Sequence, residues 1–323
     1  MDLCLPLLDV FDDLSSKNGT NLTKIKNITV VEESEHIMGS TPVKIIMGVS
    51  GLFIITINLM LNIGLKSTNK RLTMSQKLYI YLSFTDLQVG IYLLHMLIHY
   101  TLSSSGVFIG CDNIKPLFLN LQASYCIGMG TFIAISYLRN IAIRKPFHIV
   151  KNRTVYIWLV LWTLYTTAST LFTAFVMYFK LATIHYRVAY AFGIGSLILV
   201  QISLVTVLNI WSTKELSKQS KTLKITIDIE IRKGIKRNEK AVGILNLIVI
   251  VYVISILPSC VYLFVTGIAI QTSHKLMTEF SASLFSYANM LCIFQPGLNA
   301  LVYILKDKAI KRFYNRVFCP RKT

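Results

Sequence analysis

Asp86 is the residue whose type and surroundings carry the most chemistry in this sequence. It is the only Asp, Glu, Lys or Arg within seven long apolar runs, and it stands in the second of them. A carboxylate at the centre of a bilayer costs about 2.5 kcal/mol or more, so it is expected to face the interior of a helix bundle. The predicted partners are the amides of Asn58 and Asn299. The alternative is a neutral or snorkelling acid near a helix end.

A pair of histidines is the second candidate for chemistry. His95 and His99 are four residues apart, a spacing that places two metal ligands on one face of a helix. A metal site needs further ligands, and the run supplies none. The pair is therefore more typical of packing, and we predict no metal site there.

The elements that position these residues follow from composition. The chain has 323 residues, of which 54% are hydrophobic and 15% charged, whereas soluble proteins carry about 25% charged residues. Such a chain has too little polar surface for a soluble fold and too much apolar side chain for disorder. The seven runs are each long enough to cross about 30 Å of hydrocarbon as a helix; they are 45–65, 78–99, 116–138, 155–179, 188–211, 242–270 and 280–304.

The expected fold is an all-α membrane protein, a seven-transmembrane helix bundle. Alternating segments typical of a membrane barrel are absent from the sequence, so helices must satisfy the buried backbone. We expect residues 1–44 to form an extracellular tail, 45–304 the bundle, and 305–323 a short amphipathic helix and cytoplasmic tail. Ile310, Phe313, Tyr314 and Val317 form the apolar stripe of that eighth helix.

Charge sets the predicted orientation. Of the 33 Lys and Arg residues, 25 lie in one alternating set of loops and ends, which the positive-inside rule assigns to the cytoplasm. That set is 66–77, 139–154, 212–241 and 305–323. The N-terminal tail then lies outside, at the plasma membrane. The net charge of +18 indicates contact with anionic membrane lipid, and we expect no nucleic-acid partner.

The N-terminal tail supports the same orientation. Asn18-Gly-Thr, Asn21-Leu-Thr and Asn27-Ile-Thr are three glycosylation sequons within a short segment. Glycosylation of Asn18, Asn21 and Asn27 requires that the tail is extracellular.

Several short motifs occur in order along the apolar runs. They are Asn58, Leu82-Ser-Phe-Thr-Asp86-Leu, Ala134-Ile-Ser-Tyr-Leu-Arg139-Asn-Ile-Ala-Ile-Arg-Lys-Pro146, Trp162, Leu257-Pro258 and Leu298-Asn299-Ala-Leu-Val-Tyr303. Each motif is weak alone, but together they resemble the rhodopsin-like (class A) G-protein-coupled receptors from about residue 45 to 319. The resemblance implies a receptor that transmits the binding of an extracellular ligand to a heterotrimeric G protein.

The resemblance also implies roles for particular residues. Arg139 would engage the G protein, Pro258 would shape the sixth helix, and Asn299 and Tyr303 would change partners in the seventh. Asp86 and Asn58 would form the polar centre, which in relatives holds sodium. Here the helix-three Ser of relatives is Gly128, so we expect at most weak sodium binding. Arrestin and a receptor kinase are further implied partners.

The chain departs from the family at several positions. Leu138 stands where the family has an acid before the motif Arg, and Asn140 stands where the family has the Tyr after it. Glu239 is the nearest substitute acid, but it should point away around the helix. The sixth-helix Trp is Ile256, and the Pro expected after Asn299 is Ala300. These losses suit either a divergent receptor or a decoy without coupling.

The cysteines depart from the family as well. Cys111 is near the position of the family's outer disulfide, and Cys4 is the other clearly extracellular cysteine, so Cys4–Cys111 is the disulfide candidate. Two free thiols are the alternative. Cys319, just beyond the amphipathic helix, is a palmitoylation candidate.

The ligand is expected in the outer half of the bundle. Leu121 stands where amine receptors have an Asp, and Ile293 where opsins have the retinal Lys, so neither ligand class is expected. A small or lipophilic ligand is favoured, with peptide and odorant-like ligands left open. Counting from the motifs, the inward-facing candidates are Met96, Tyr100, Leu121, Gln122, Tyr125, Ser259, Leu263, Phe285 and Asn289.

Other function classes fit less well. A transporter is expected to have several intramembrane ionisable groups or repeats, and an enzyme a nucleophile–base pair or metal motif. Neither pattern occurs in the sequence. We expect no enzymatic activity and no cofactor, and a non-signalling decoy or scaffold is the main alternative.

Overall fold

The computed structural model describes residues 41–68, 72–104, 115–144, 152–178, 184–223, 229–272 and 275–318. These residues form eight α-helices and no strand. The helices are α1 Thr41–Thr68, α2 Met74–Ser104, α3 Lys115–Arg144, α4 Asn152–Tyr178, α5 Ile184–Leu223, α6 Ile229–Thr272, α7 Lys275–Lys306 and α8 Lys308–Phe318.

Six of these helices, α1 to α6, are long and apolar enough to cross a membrane. In α7 the apolar segment Leu291–Lys306 is shorter. Large apolar side chains such as Leu164 and Leu171 are exposed on the outer faces, which suits lipid as the surrounding solvent. The prediction of an all-helical membrane protein is confirmed.

The helices pack in a closed order around α3. Each of α1 to α3 contacts the next helix, α5 contacts α6, α6 contacts α7, and α7 returns to α1. Helix α3 contacts α2, α4, α5 and α6, and from Met129 to Ser136 its side chains are buried throughout. Residues of α3 are therefore placed to reach several neighbouring helices at once.

The predicted loop at 212–241 is wrong for most of its length. Helix α5 continues to Leu223, and α6 begins at Ile229, so only 224–228 falls outside the described residues. The segment contains no proline and many Lys, Glu and Arg residues, which favour a helix in water as well. Hydropathy marks where a helix leaves the membrane and not where the helix ends.

A glycine allows α4 to pack closely on α3. A Cβ atom added at Gly130 would overlap the indole of Trp162. The Trp162 Nε1 donates to the Cys126 carbonyl at 2.7 Å, and its ring stacks on that of Trp158 at 5.6 Å. Among the described helices, α4 packs mainly against α3, so this contact fixes its position.

Helix α8 has the predicted amphipathic character. The Asp307 carboxylate accepts hydrogen bonds from the backbone of Ala309 at 2.8 Å and Ile310 at 3.3 Å, and so caps the helix. Ile310 is fully buried, and a Cβ at Gly64 would lie only 2.8 Å from it. The Tyr314 hydroxyl donates to the Met60 carbonyl, and partial burial raises the pKa of that phenol. Helix α8 is thus attached to the end of α1.

Several predicted sites lie outside the described residues. These are the sequon residues and the cysteines of the predicted disulfide and lipid sites: Asn18, Asn21, Asn27, Cys4, Cys111 and Cys319. Those predictions stand untested. The described cysteines Cys126, Cys260 and Cys292 are free thiols.

The close approach of α3 and α4 gives a stability prediction. We expect Gly130→Ala to lower the free energy of unfolding by about 1–3 kcal/mol, because the indole of Trp162 must move. Gly193→Ala is the matched control, since a Cβ there meets nothing within 4 Å. Thermal unfolding of both variants in one detergent measures the difference. Equal melting temperatures would contradict the proposed packing.

Candidate functional site

A small cavity in the middle of the bundle surrounds Asp86. Its volume is about 10 Å³, which is about the least that holds one water molecule. Side chains from α2, α3, α6 and α7 meet there. The lining residues are Leu82, Asp86, Val89, Ser124, Tyr125, Gly128, Met129, Phe132, Tyr252, Ile256, Gln295 and Asn299.

Asp86 is buried without a direct partner. It is 6% exposed, and within the described part of the chain no hydrogen bond or ion pair reaches its carboxylate. Asn299 lines the same cavity, and both polar atoms of its amide lack a hydrogen-bond partner. The predicted pairing across the bundle therefore brings Asp86 and Asn299 to one cavity without a direct bond.

The other predicted partner, Asn58, has a different role. Its amide nitrogen donates to the Ile54 carbonyl at 3.0 Å and to the Pro296 carbonyl at 3.4 Å. Pro296 has no N–H for the Cys292 carbonyl one turn earlier, and the Tyr125 hydroxyl of α3 donates to that carbonyl at 2.9 Å. Asn58 thus ties α1 to α7 and is not bonded to Asp86.

Three further polar side chains surround the cavity. Ser124 donates to the Gln88 side chain at 2.5 Å, and the Tyr125 hydroxyl donates to the Cys292 carbonyl at 2.9 Å. The Tyr252 hydroxyl is buried without a partner, while its ring stacks on Phe132 at 5.1 Å. Water in the cavity would satisfy such orphaned groups.

Three polar lining residues were not predicted from the sequence, namely Ser124, Tyr252 and Gln295. Gln295 precedes Asn299 by four residues, so the two lie on one face of α7, and that spacing was a usable signal. Tyr252 lies six residues before Pro258 in an otherwise apolar stretch. Its position opposite Asp86 depends on how α6 packs on α3, which the sequence does not state.

The residues around Asp86 do not fit a resident sodium ion. Hard cations take about six oxygen ligands, and although several lining side chains carry oxygen, they share a space of only about 10 Å³ and Gly128 and Ile256 contribute none. The Ser124 hydroxyl is already engaged with Gln88. The space is also about that of one water molecule, too small for an ion with its hydration.

Arg139 lies at the end of α3, away from the cavity. Its Nε is buried without a hydrogen-bond partner. It is close enough to Tyr79 and Tyr303 to interact electrostatically with their hydroxyl groups, and the rings of those two tyrosines are 4.3 Å apart. A cation thus faces the junction of α2 and α7. Tyr79 was not among the predicted residues.

No acid in the described residues pairs with Arg139. Leu138 packs against the apolar core, and Glu239 is exposed. No ion pair joins Glu239 to Arg139 among the described residues, and the direction expected for Glu239 stays a prediction. An Arg without a carboxylate partner is unusual at membrane depth, which leaves its charge available for another partner.

The predicted ligand-pocket residues are only partly described. Met96 is buried, Tyr125 lines the central cavity, and Ser259 contacts the Cys292 sulfur at 2.9 Å. Leu263 packs against the core, and the ring of Tyr100 is 5.9 Å from that of His99. The side chains of the remaining candidates are outside the described part; they are Leu121, Gln122, Phe285 and Asn289.

The histidine pair gains no support as a metal site. His95 is exposed while His99 is buried, so the two imidazoles do not share one environment. No group of three or more His, Cys, Asp or Glu side chains able to hold a metal occurs among the described residues.

Comparison with known proteins adds no assignment. No protein-family model matches this chain, and no curated protein matches it. The chemistry of the cavity and of Arg139 therefore has to carry the functional argument.

The isolation of Asp86 predicts an unusual response to mutation. We expect Asp86→Asn to leave the melting temperature unchanged or to raise it, because the change removes a buried carboxylate that has no bonded partner. Asn62→Leu is the matched control. It breaks a 2.7 Å bond to Ser83 and should cost about 0.6–1.7 kcal/mol. Thermal unfolding in detergent compares the two variants.

Replacing sodium tests our conclusion that the cavity around Asp86 holds no sodium ion. Replacing sodium chloride by choline chloride should not change the melting temperature of the unmodified protein. A sodium-specific rise that is lost in Asp86→Asn would contradict our reading of the cavity.

Proposed function

We propose that the protein is a seven-helix receptor of the plasma membrane that passes the binding of an extracellular ligand to a heterotrimeric G protein. A closed ring of contacts through α1, α2, α3, α5, α6 and α7, with α4 packed on α3, supports this proposal, as do the six membrane-length helices. In the proposed topology α7 is the seventh crossing, the N-terminal tail is extracellular and glycosylated, and α8 lies on the inner membrane surface.

Arg139 is the observation that carries the proposal. Its buried Nε has no partner, and it faces the tyrosines at the junction of α2 and α7. A cation in this position can take a second arrangement when neighbouring helices move, and a ligand shifts the populations of the two. In the proposed mechanism Arg139 contacts the G protein when α6 moves outward.

The cavity around Asp86 connects the two ends in this mechanism. It joins α2, α3, α6 and α7 through groups that lack direct partners, namely Asp86, Tyr252 and Asn299. Polar groups that have no fixed partner can form new hydrogen bonds without first breaking old ones. A ligand that alters the outer end of α6 or α7 would change this polar set, and Arg139 would respond.

The proposed ligand is small or lipophilic and carries no obligatory charge. The outer positions that are described, Met96, Leu263 and Ser259, are apolar or neutral, and no carboxylate or amine is available there for an ionic ligand. Arrestin and a receptor kinase are proposed further partners at the inner face, and Cys319 is the proposed lipid-attachment site.

A non-signalling decoy is the second candidate function. The observation that favours it is Leu138, which packs in the core where the resembled receptors have an acid. A decoy would bind ligand without promoting nucleotide exchange. The experiments below separate the two functions.

Arg139→Ala tests coupling without a known ligand. We expect it to lower ligand-free nucleotide exchange about tenfold or more, because a charge-assisted contact worth about 1.5–3 kcal/mol is lost. Exchange is measured in membranes against a panel of Gα classes, at matched surface expression. Arg153→Ala is the control, since Arg153 is an exposed cation at the start of α4.

The panel also decides between receptor and decoy. Exchange by the unmodified protein that Arg139→Ala reduces and Arg153→Ala does not is the predicted result. No exchange with any Gα class, together with intact binding of an identified ligand, would establish the decoy.

Leu138→Asp tests whether the missing acid raises basal signalling. An Asp beside Arg139 would pair with it and compete with the G protein, so ligand-free exchange should fall severalfold. Leu138→Asn is the matched control, because it has nearly the same shape without the charge. If both variants signal equally at equal surface expression, the absence of the acid has no effect on basal activity.

A further inference from the structure

We propose that Asn140 and Gln219 are positioning residues. They bind the segment of α5 from Leu208 to Gln219 to the end of α3 and thereby set the direction of Arg139. The inference rests on the proposed coupling function. Neither residue touches the partner protein in this proposal; both act through Arg139.

The contacts form a clasp of three hydrogen bonds. The buried Asn140 amide donates to the Leu208 carbonyl at 3.3 Å and to the Ser212 hydroxyl at 3.2 Å. Further along, the Gln219 amide donates to the Ile143 carbonyl at 2.7 Å. The clasp runs over 12 residues of α5, from Leu208 to Gln219, or about three helical turns. A contact of this length fixes both the distance and the rotation of α3 relative to α5.

Adjacent residues of α3 point to different partners. Successive side chains on a helix are about 100° apart, so Arg139 faces Tyr79 and Tyr303 while Asn140 faces α5. Any rotation of α3 that broke the bonds of Asn140 would also turn Arg139 away from the tyrosines. The clasp therefore controls where the cation points.

Apolar packing adds α6 to the same region. Ile143, Leu216 and Val242 form a separate buried cluster that joins α3, α5 and α6. In this region α6 is held to α5 by Val242 and by the exposed hydrogen bond between the Asn246 amide and the Thr213 hydroxyl at 3.3 Å. The three hydrogen bonds between α3 and α5 involve no residue of α6, so in our proposal the α3–α5 pair stays together when α6 moves outward.

The need for the clasp follows from the departures of this chain. Leu138 offers Arg139 no carboxylate, and none of the described acids pairs with it. Asn140 stands where the resembled receptors have a Tyr. In the resembled receptors an ion pair restrains the inner end of α3. In our proposal the neutral amides of Asn140 and Gln219 do so here.

The primary test compares Asn140→Leu and Gln219→Leu with the unmodified protein. Each should lower ligand-free nucleotide exchange about threefold to tenfold, the effect of losing one or two cross-helix hydrogen bonds in a membrane. Thr131→Val is the matched control. Thr131 is a buried polar residue of α3 whose hydroxyl bonds within its own helix, to Ile127 at 2.9 Å.

Rescue and epistasis separate positioning from general destabilisation. The double variant Asn140→Ser, Ser212→Asn swaps the two side chains and restores an amide–hydroxyl bond across the same gap. It should therefore recover nucleotide exchange. In the Arg139→Ala background, Asn140→Leu should have no further effect on exchange. A further fall there, or a failure of the exchanged pair to recover activity, would overturn the assignment.

A structural readout keeps the inference separate from the proposed function. Hydrogen exchange of the α5 backbone over 212–223 should speed up about threefold to tenfold in Asn140→Leu and Gln219→Leu, and not in Thr131→Val. Unchanged protection would overturn the clasp even if coupling falls. Faster hydrogen exchange in these variants of a protein that activates no G protein would overturn the proposed function and the positioning of Arg139. The clasp would then have only a structural role.

Discussion

The bilayer contains no water for polar groups, and this constraint determines most of the structure. Polar side chains within the helices find partners in their own helix or on neighbouring helices. The bond between Asn62 and Ser83 joins α1 to α2, Trp162 joins α4 to α3, and Asn140 joins α3 to α5. Asp86 differs from these groups, because its carboxylate has no bonded partner and shares a cavity of about 10 Å³ with the unpartnered groups of Tyr252 and Asn299. The same scarcity of water makes its position significant for function.

The helices could be predicted from sequence because the relevant signal is local. About 20 apolar residues are needed to cross the membrane whatever their neighbours, and the runs at 45–65 and 78–99 lie within α1 and α2. The ends of α5 and α6 could not be predicted in this way. Beyond the membrane their helices continue in polar sequence, where hydropathy carries no signal and helix propensity decides.

The site could be predicted only in part. Asp86 and Asn299 were found because a lone acid and an amide motif are visible in the sequence, and both line the cavity. Tyr252 and Gln219 were missed because their importance depends on the lateral packing and rotation of helices. For Asn58 the prediction named the right neighbourhood and the wrong partner, since its approach to the Pro296 carbonyl depends on how α1 packs on α7. Single residues are thus easier to predict than the contacts between them.

The proposed mechanism requires that Arg139 and the clasp face the cytosol while the ligand approaches from outside, and with seven crossings the two termini then lie on opposite sides of the membrane. Epitope tags placed before residue 41 and after residue 318, stained in intact and then in permeabilised cells, measure this directly. We expect the N-terminal tag to be stained on intact cells and the C-terminal tag only after permeabilisation. Staining of both tags under the same condition would mean an even number of crossings and would contradict the receptor assignment.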